Sequence, residues 1–478
     1  MNNKFYITTA IDYVNDVIHV GHIYQKVLAD VLARYYRLKI ENDNVFFLTG
    51  TDEYGQKAEK AAQDAGISTK EFVDKIAQAD QKEQDALNVS YDRFIRTTDE
   101  DHARVAQEIW NRVEASGDIY LGDFTGLYCT GCEAYYTKED LIKGECPYHP
   151  ILKIKTITEK NFFFRWSKYQ DFLIKHLESH PDFVTPSGRL QEVLNFAKSG
   201  IRDIPISRTS FHWGVPVPNQ PDHIMYVWFD ALTNYLTGVG FLDNPRLFTK
   251  FWPADIHILG KDNVRWHALL WPAMLKSAGL ELPKTILVNG FLNLNGQKIS
   301  KSTGNIIRST DLVAQYSVDA IRYYLLRYTG ITEDSDISLD KLKTAYNSDL
   351  ANGLGNLVAR VSKLCEQNNI NATPGSNVWC TGLTETVENF QFNKALEIIW
   401  GLIAECDKKI NDEKPWELNG DTLIIALKDY IRRIQAIAYN LQPFLPETSE
   451  KISKQFTPIE SGFTGEIRSA PPLFPRKE

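Results

Sequence analysis

Strand-like and helix-like patterns alternate in the N-terminal part of the chain. A β-branched and aromatic run over residues 4–11 predicts a buried strand, and apolar spacing from His22 to Arg37 predicts a helix. Val45–Leu48 predicts a second strand. This βαβ order predicts a parallel sheet, whose ligands bind beyond the carboxyl ends of its strands. His19 and Asp52 both follow such ends, and so does His22, which makes them candidate site residues.

The pattern breaks over residues 117–165, which hold three closely spaced cysteines and short strand-like runs. We interpret this segment as an insertion between two halves of the sheet. The α/β pattern resumes near Ile206. Asp255–Leu259 and Thr285–Val288 predict further strands, with a helix over Val264–Ser277 between them.

Helical spacing replaces the strand pattern after about residue 310. Three segments carry it: Leu350–Leu364, Asn393–Ile410 and Thr422–Leu441. Prolines separate these segments, which together predict an α-helical bundle. The last stretch, 461–478, has several prolines and little periodicity, and predicts a tail that is packed on the surface or loose.

Composition limits the class of protein. A chain of 478 residues suggests about three domains, and its net charge of −8 excludes a globally basic nucleic-acid coat but not a local basic face. It has no secretory-type N-terminus and no apolar run long enough for a membrane span. The cysteines outside the cluster are scattered along the chain, namely Cys365, Cys380 and Cys406. Such scattering is typical of reduced core residues, and it predicts a cytoplasmic location.

The first candidate signature is His19-Val20-Gly21-His22, at the start of the first helix. Its spacing places both histidines on one helix face, and Gly21 lets a nucleotide approach the backbone. Imidazole donors at a helix N-terminus would stabilise charge that develops on phosphate oxygens. A surface histidine pair is the alternative interpretation of this motif alone.

The second signature is Lys298-Ile299-Ser300-Lys301-Ser302, a loop between turn-forming residues. Lys298 and Lys301 offer positive charge for a leaving pyrophosphate, and Ser300 offers a hydroxyl donor. A solvated basic loop is the alternative. An enzyme that activates a carboxylate with ATP requires two such signatures in this order.

The chain resembles class I aminoacyl-tRNA synthetases, and the methionyl-tRNA synthetase family in particular. Besides the two signatures, the resemblance includes 6–37, the run Phe46–Gln56, Ile206-Ser207-Arg208, Tyr226–Tyr235, Gly260-Lys261-Asp262 and Trp271–Leu275. It covers nearly the whole chain. Tyr54 and Asp12 depart from the family pattern, which usually has His at the first position and Tyr or Pro at the second.

The resemblance implies an α/β fold, namely a Rossmann-type catalytic domain with an inserted zinc-knuckle connective domain, followed by an all-α bundle. Its expected boundaries are 1–116 and 186–300 for the catalytic halves, 117–185 for the insertion, 301–345 for the lysine-serine loop and stem-contact region, 346–460 for the anticodon-binding bundle, and 461–478 for the tail.

The resemblance also implies functional residues. Those expected to bind methionine are Ile11, Tyr13, Asp52, Trp228, Ala231, Tyr235 and His267. Those expected to bind ATP are His19, Gly21, His22, Arg208, Asp262, Lys298 and Lys301. Catalysis is expected from His19, His22, Lys298, Ser300 and Lys301, which stabilise charge without covalent chemistry. Without the resemblance, the aromatic side chains would be interpreted as ordinary core.

Two short knuckles predict a metal site from the residues themselves. Cys129 and Cys132 form one C-x-x-C pair, and Cys146 and His149 form a C-x-x-H pair thirteen residues further on. Three thiolates and one imidazole complete a tetrahedral Zn²⁺ site, which is therefore expected to be structural. Three free cysteines beside an unrelated histidine are the less favoured alternative.

The bundle carries the residues implied in anticodon binding. Asn356 and Arg360 are four apart on one helix, and Trp416 follows a proline at a helix boundary. An exposed tryptophan is a stacking surface for an unpaired base, while Asn and Arg read base edges. Lys428, Arg432 and Arg433 give a basic helix that could follow phosphates.

The expected function is that of a methionine–tRNA ligase. It uses ATP with Mg²⁺ to form methionyl-adenylate, and then charges tRNA(Met). Two alternatives are a class I synthetase for another amino acid, such as cysteine or leucine, and a non-catalytic tRNA-binding paralogue. The self-contained metal cluster disfavours the first, and the intact signatures disfavour the second. No further C-terminal domain corresponds to that of longer family members, so a monomer is expected. No membrane association is expected, because no apolar run is long enough to span a membrane.

Overall fold

The computed structural model describes residues 4–131, 134–136, 140–299, 305–372, 374–375, 377–456 and 465–478. This chain divides into two compact units. The first unit comprises Met1–Ile18, Ile40–Glu83 and Ser90–Asn289. The second comprises His19–Lys39, Gln84–Val89 and Gly290–Glu478.

The first unit contains fourteen strands among its described residues. They are β1 (Phe5–Thr9), β2 (Asp12–Tyr13), β3 (Val45–Asp52), β4 (Arg93–Arg96), β5 (Ile119–Cys129), β6 (Ala134–Tyr136), β7 (Lys155–Phe164), β8 (Val184–Thr185), β9 (Ile204–Pro205), β10 (Ser207–Arg208), β11 (Pro216–Val217), β12 (Gln220–Met225), β13 (Ile256–Gly260) and β14 (Thr285–Asn289). The second unit adds β15 (Leu292–Leu294), β16 (Gln297–Lys298) and β17 (Ser335–Ile337).

The α-helices are more evenly shared. α1 (Val20–Ile40) falls almost wholly in the second unit. The first unit holds α2 (Gln56–Ala65), nearly all of α3 (Thr69–Asp85), α4 (Glu100–Ala115), α5 (Gln170–Ser179), α6 (Ser187–Ser199), α7 (Val227–Ala231), α8 (Asn234–Thr237), α9 (Pro245–Phe251) and α10 (Trp271–Ser277). The second holds α11 (Ser309–Gln315), α12 (Val318–Arg327), α13 (Leu339–Ala345), α14 (Asn356–Gln367), α15 (Leu383–Glu388), α16 (Phe392–Glu413), α17 (Gly420–Leu441) and α18 (Pro446–Phe456).

A parallel sheet forms the centre of the first unit. Its strands run in the order β3, β1, β13, β14, β8, and both β2 and β4 pair with β3. Every pairing is parallel, as the βαβ pattern predicts. β1 is buried at all five positions because helices and loops cover both faces of a parallel sheet. Gly50 lets β3 and β4 approach, since a Cβ there would lie 1.9 Å from the carbonyl oxygen of Ile95.

The segment predicted to be an insertion contributes β5, β6 and β7 to an antiparallel sheet in the first unit, and β9 completes this sheet. β5 pairs with β7 from Ile119↔Phe164 to Tyr128↔Lys155. β6 lies beside β5, and β9 lies beside β7. The short strand-like runs in the sequence are therefore parts of two long strands. The carboxyl end of β5 carries Cys129.

The second unit is mainly helical, and it also contains the hairpin β15–β16. Asn295 and Gly296 form the hairpin turn, and both adopt positive φ (53° and 74°), the conformation that two-residue Asn-Gly turns require. Arg322 of α12 is completely buried, pairs with the buried Asp30 of α1 at 2.7 Å, and donates to the carbonyls of Leu87, Pro443 and Phe444. This guanidinium ties α1 to the end of the helical bundle.

A helix in the second unit contains a π-helical stretch, Tyr346–Gly355, between α13 and α14. The C-terminal segment packs beside it: Phe474 is buried, and the Tyr346 hydroxyl donates to the Pro475 carbonyl at 2.9 Å. Residues 465–478 are therefore a packed tail. Among the described residues, none of the helices combines the length and apolarity needed to cross a membrane.

Candidate functional site

In the first unit, several residues predicted to bind methionine cluster at the carboxyl ends of the parallel strands. Ile11 and Tyr13 follow β1, Asp52 ends β3, and His267 follows β13. Tyr13 and Asp52 are paired in register between β2 and β3. The parallel arrangement brings these positions to one edge, where open α/β sheets bind ligands.

Tyr235 and His267 form a buried hydrogen-bonded pair. The Tyr235 hydroxyl lies 2.7 Å from Nε2 of His267, and Nδ1 of His267 lies 2.9 Å from the Asn263 carbonyl oxygen. A carbonyl only accepts, so Nδ1 carries the proton and Nε2 accepts from the phenol. Burial lowers the pKa of His267 to about 4, and the imidazole is therefore neutral at physiological pH.

Trp228, Ala231 and Tyr235 do not share one continuous helix, although their spacing suggests it. Trp228 and Ala231 lie on α7, and Tyr235 lies on α8 after a turn. Thr233 donates its hydroxyl to the Asp230 carbonyl at 2.7 Å, and the Asn234 amide donates to the Ala231 carbonyl at 2.6 Å. These side chains donate to carbonyls that would accept backbone N–H groups in a continuous helix, and this competition accounts for the break between α7 and α8.

Aromatic side chains surround the Tyr235–His267 pair. The Trp228 ring stands edge-on to His267, with centroids 6.2 Å apart, and stacks on Trp266 at 5.0 Å. His267 and Trp266 belong to a π-helical turn, Trp266–Leu270, which replaces the start of the predicted helix. Ala231 is buried, while Ile11 and Tyr13 are half-buried. An apolar wall with one neutral hydrogen-bonded pair suits a polarisable, uncharged side chain.

Two carboxylates lie at this edge. Burial raises the pKa of Tyr235, and the negative charge of Asp52 raises it further. Asp12, which departs from the family pattern, is buried at the start of β2, next to the paired Tyr13.

The two residues of the first unit predicted to contact ATP differ in exposure. Arg208 is buried at 2% exposure, donates to the Ser207 carbonyl at 2.7 Å, and packs over the Tyr226 ring at 4.2 Å. A surface salt bridge, the alternative explanation for an arginine at this position, does not fit this burial. Asp262 is exposed on a short 3-10 turn that follows β13.

In the second unit, His19 and His22 lie together at the start of α1. Their ring centroids are 4.1 Å apart. Nδ1 of His19 accepts from the Gly21 backbone N–H at 3.1 Å, and Nδ1 of His22 accepts from the His19 backbone N–H at 3.3 Å. Backbone amides only donate, so each Nδ1 is an acceptor and each ring carries its proton on Nε2. A Cβ on Gly21 would lie 3.0 Å from the His19 ring, so this glycine also makes room for the imidazole.

The lysine-serine signature begins in the β15–β16 hairpin. Lys298 is exposed at the end of β16, with Nζ 5.9 Å from the Phe291 ring centroid, and Ile299 is buried. The Asn305 side-chain amide lies within 3.3 Å of the carbonyls of Leu294, Gln297 and Lys298, and so closes the base of this segment. Ser300 and Lys301 lie outside the described residues.

Three of the four predicted metal ligands lie close together in the first unit. The ligand atoms of Cys129, Cys146 and His149 all lie within 4.8 Å of one another, with Sγ of Cys146 4.0 Å from Nδ1 of His149. Zinc–ligand bonds of about 2.0–2.3 Å in a tetrahedron separate ligand atoms by roughly 3.5–4 Å, so these residues fit a metal ion. A Cβ on Gly131 would lie 2.4 Å from the His149 ring, which explains the glycine in this knuckle. Cys132 lies outside the described residues.

The bundle brings two of the three predicted anticodon residues into contact. The Arg360 guanidinium lies 5.2 Å from the ring centroid of Trp416, whose side chain is 56% exposed. Asn356 is exposed at the first position of α14, one turn before Arg360. The π-helical stretch ends immediately before Asn356, and such stretches occur frequently at functional sites.

The scattered cysteines are thiols, as predicted. Cys365 and Cys406 are buried in the bundle, Cys380 is half-buried, and none of the three forms a disulfide. Burial raises the pKa of both buried thiols to about 12. They are therefore protonated core residues.

Sequence reasoning missed two groups beside the methionine-binding edge. His257 of β13 is fully buried, and its ring packs tilted against that of Tyr235 with centroids 4.2 Å apart. Its Nδ1 lies 2.6 Å from the Thr8 hydroxyl oxygen. Glu53 is also fully buried and pairs with Arg96. The only available signal was a polar residue within or directly after a buried strand.

The parallel sheet and the residues at its strand ends indicate that this chain is a class I aminoacyl-tRNA synthetase. The family model described as "tRNA synthetases class I (M)" matches residues 5–155 and 149–362. The methionine–tRNA ligase of Caldanaerobacter subterraneus is 42% identical, covering 95% of this chain and 74% of that protein. The corresponding ligase of Thermotoga maritima is 41% identical, covering 95% and 75%.

A solved structure agrees. Mycobacterium tuberculosis methionyl-tRNA synthetase in complex with methionyl-adenylate superposes with a TM-score of 0.91 at 37% identity, covering 99% of this chain and 100% of that one. The chain belongs to the methionine–tRNA ligase family, which confirms the resemblance drawn from its sequence.

Proposed function

We propose that this chain activates L-methionine with ATP to methionyl-adenylate and then transfers the methionyl group to tRNA(Met). The observation that carries the proposal is the neutral Tyr235–His267 pair within an aromatic wall at the carboxyl edge of the sheet. Membership of the methionine–tRNA ligase family supports it. Mg²⁺ enters with ATP as part of the substrate complex.

Methionine recognition is proposed for Ile11, Tyr13, Asp52, Trp228, Ala231, Tyr235 and His267. Asp52 offers a carboxylate to the substrate ammonium group. The aromatic and apolar members contact the thioether, whose sulfur favours ring contacts. Because His267 is neutral and its Nε2 accepts from Tyr235, the pair presents no net charge to an uncharged side chain.

Phosphate chemistry is proposed for His19, His22, Lys298, Ser300 and Lys301. When the methionine carboxylate attacks the α-phosphate, negative charge grows on phosphate oxygens and the pyrophosphate leaves. The Nε2–H groups of the two histidines would donate to those oxygens, and the lysines would stabilise the leaving group. Gly21, Arg208 and Asp262 are proposed as further contacts to ATP.

A structural Zn²⁺ is proposed at Cys129, Cys132, Cys146 and His149. The three described ligands fit a tetrahedral site, and Cys132 supplies the fourth ligand in the proposal. With every ligand provided by protein, the ion would stabilise the insertion without taking part in adenylation.

Anticodon recognition is proposed for Asn356, Arg360 and Trp416. The exposed Trp416 ring, with Arg360 beside it, offers a stacking surface for an unpaired base. The domain boundaries given above, a monomeric state and a cytoplasmic location stay predictions.

ATP–pyrophosphate exchange with each amino acid in turn tests the proposed activity. Exchange that depends on methionine alone is the expected result. Exchange with another amino acid would overturn the specificity, and no exchange by folded, zinc-loaded protein would favour the tRNA-binding paralogue.

A further inference from the structure

Glu53 directly follows Asp52 and is completely buried in the first unit. Its carboxylate accepts four hydrogen bonds. Two come from Arg96 (Nε at 2.6 Å, Nη2 at 2.8 Å), one from the Thr51 hydroxyl at 2.8 Å, and one from the Thr98 hydroxyl at 2.5 Å. The bidentate pair and two hydroxyls satisfy both carboxylate oxygens.

The main chain of Glu53 is held as firmly as its side chain. Its N–H donates to the Thr97 hydroxyl at 2.9 Å, and its carbonyl accepts from Nε1 of Trp213 at 2.6 Å. Trp213 also accepts from the Gly55 N–H through its own carbonyl, at 3.1 Å. Six hydrogen bonds therefore fix this one residue.

Strand alternation connects Glu53 to its neighbour. Thr51 and Glu53 are two residues apart, lie on the same face and hydrogen-bond to each other, so Asp52 projects from the opposite face. Asp52 lies in register with Tyr13 of β2, at the edge of the sheet where the methionine site is proposed. The Asp52 carbonyl also accepts from the Val14 N–H at 3.1 Å, which joins this strand end to the segment after β1.

Stability alone does not account for an ion pair whose carboxylate is completely buried. Well-packed apolar side chains of similar volume are commonly as stabilising as a buried salt bridge. Apolar side chains, however, impose no directional constraint on the backbone, whereas a carboxylate with four donors fixes both position and rotation. The adjacent residue that benefits from this constraint is Asp52.

We propose that Glu53, held by Arg96, is a positioning residue that fixes the strand end from which Asp52 presents its carboxylate to the methionine ammonium group. Glu53 itself does not touch the substrate. This inference rests on the proposed function and adds to it a residue pair that governs recognition of the ammonium group.

The test compares two ligands in the full-length, zinc-loaded protein. L-Methionine carries the ammonium group, and 4-(methylthio)butanoic acid lacks it. Dissociation constants for both are measured by calorimetry for wild type, Glu53→Gln, Arg96→Lys and the control Asp243→Asn, which removes an exposed ion pair with Arg104. Glu53→Gln keeps the shape but removes the charge, and Arg96→Lys loses the bidentate contact.

The expected result is a loss of about tenfold in methionine affinity for both variants, from one weakened charge-assisted contact. Affinity for the analogue without the ammonium group and affinity of the control should be unchanged. Combining Asp52→Asn with Glu53→Gln should lose little more than Asp52→Asn alone, because both act on one contact.

Equal losses for both ligands, or additive losses in the double variant, would overturn the inference and make the pair merely structural. Unchanged methionine binding by folded Glu53→Gln and Arg96→Lys would also overturn it. If wild type itself fails to bind methionine, the proposed function fails instead.

Discussion

The Tyr235 hydroxyl donates to Nε2 of His267 over 2.7 Å, while Nδ1–H of the same ring donates to the Asn263 carbonyl. This chain of bonds fixes the tautomer of a buried, neutral histidine at the proposed methionine site. The pair is polar but uncharged, so it is better suited to bind a thioether than to bind a substrate with a charged side chain.

Tyr235→Phe should retain the fold and lose methionine affinity. The phenyl ring can still pack against His257, but Nε2 of His267 loses its donor and becomes an unsatisfied buried acceptor. A loss of about 1–2 kcal/mol corresponds to roughly tenfold in KM for methionine. Pyrophosphate exchange measures it. An unchanged KM for methionine, or an equal rise in KM for ATP, would contradict the proposed role.

His22→Asn should lower kcat of pyrophosphate exchange by about 10²–10³-fold, with small changes in KM. The His22 imidazole is held by the His19 backbone N–H, so its Nε2–H is the donor that the transition state would use. The matched control is His212→Gln, an exposed histidine of the first unit, which should behave as wild type. A rise in KM for ATP without a fall in kcat would indicate ground-state binding instead.

Cys146→Ser should remove most of the bound zinc and destabilise the insertion. One ligand of the three that the structure brings together would be lost, and structural zinc sites contribute directly to folding. Elemental analysis of wild type should find about one zinc per chain. Cys380→Ser, which lies outside the cluster, is the control and should keep its zinc. Full zinc content in Cys146→Ser would exclude this ligand set.

Trp416→Ala should lower kcat/KM for charging tRNA by about 10–100-fold, the value of one lost base-stacking contact. Pyrophosphate exchange without tRNA should be unchanged. Ile425→Ala removes another exposed side chain of the same bundle and serves as the control. Equal losses in both reactions would point to misfolding of the bundle, and no loss in charging would remove Trp416 from the proposed tRNA site.

Acidification below about pH 6.5 should destabilise the fold. Burial lowers the pKa of His102 to about 3 and that of His267 to about 4. Between the unfolded and folded pKa values, the unfolded state binds a proton that the native state does not, so the free energy of unfolding falls as pH falls. At about pH 5 the loss is about 2 kcal/mol for each of these histidines.

Urea unfolding between pH 5 and 7 measures this dependence. His102→Gln should reduce its slope, because one buried imidazole no longer differs between the two states. The exposed His212→Gln should leave the slope close to that of wild type. A slope that His102→Gln does not change would show that other groups control acid stability.

Local patterns determined much of this fold. Strand predictions at 4–11, Asp255–Leu259 and Thr285–Val288 fall on β1, β13 and β14, and three predicted helices fall within the bundle. Burial of one face forces apolar periodicity onto any such element, so the periodicity can be detected without tertiary information. Motif spacing likewise predicted the ligands of the proposed metal site, three of which lie close together in the structure, because the members of each pair are close in sequence.

Tertiary structure decided what periodicity cannot encode. The break between α7 and α8 depends on side chains that capture local carbonyls, and the π-helical turns at His267 and before Asn356 leave no trace in apolar spacing. Glu53 appears in sequence as one more acidic residue after a strand. Only the parallel pairing of β3 with β4 brings Arg96 beside it.

The sequence by itself determined the family, the parallel sheet, and the residue types available for catalysis and metal binding, since these depend on composition and short-range order. Protonation and orientation were decided only by the folded chain. Burial and a hydrogen bond from Tyr235 keep His267 neutral. Local backbone N–H groups place the protons of His19 and His22 on Nε2. The direction of the Asp52 side chain depends on the conformation of the strand end. Desolvation and hydrogen-bond geometry arise only in the folded structure. They determine the protonation state and orientation of each side chain, and therefore the chemistry of the site.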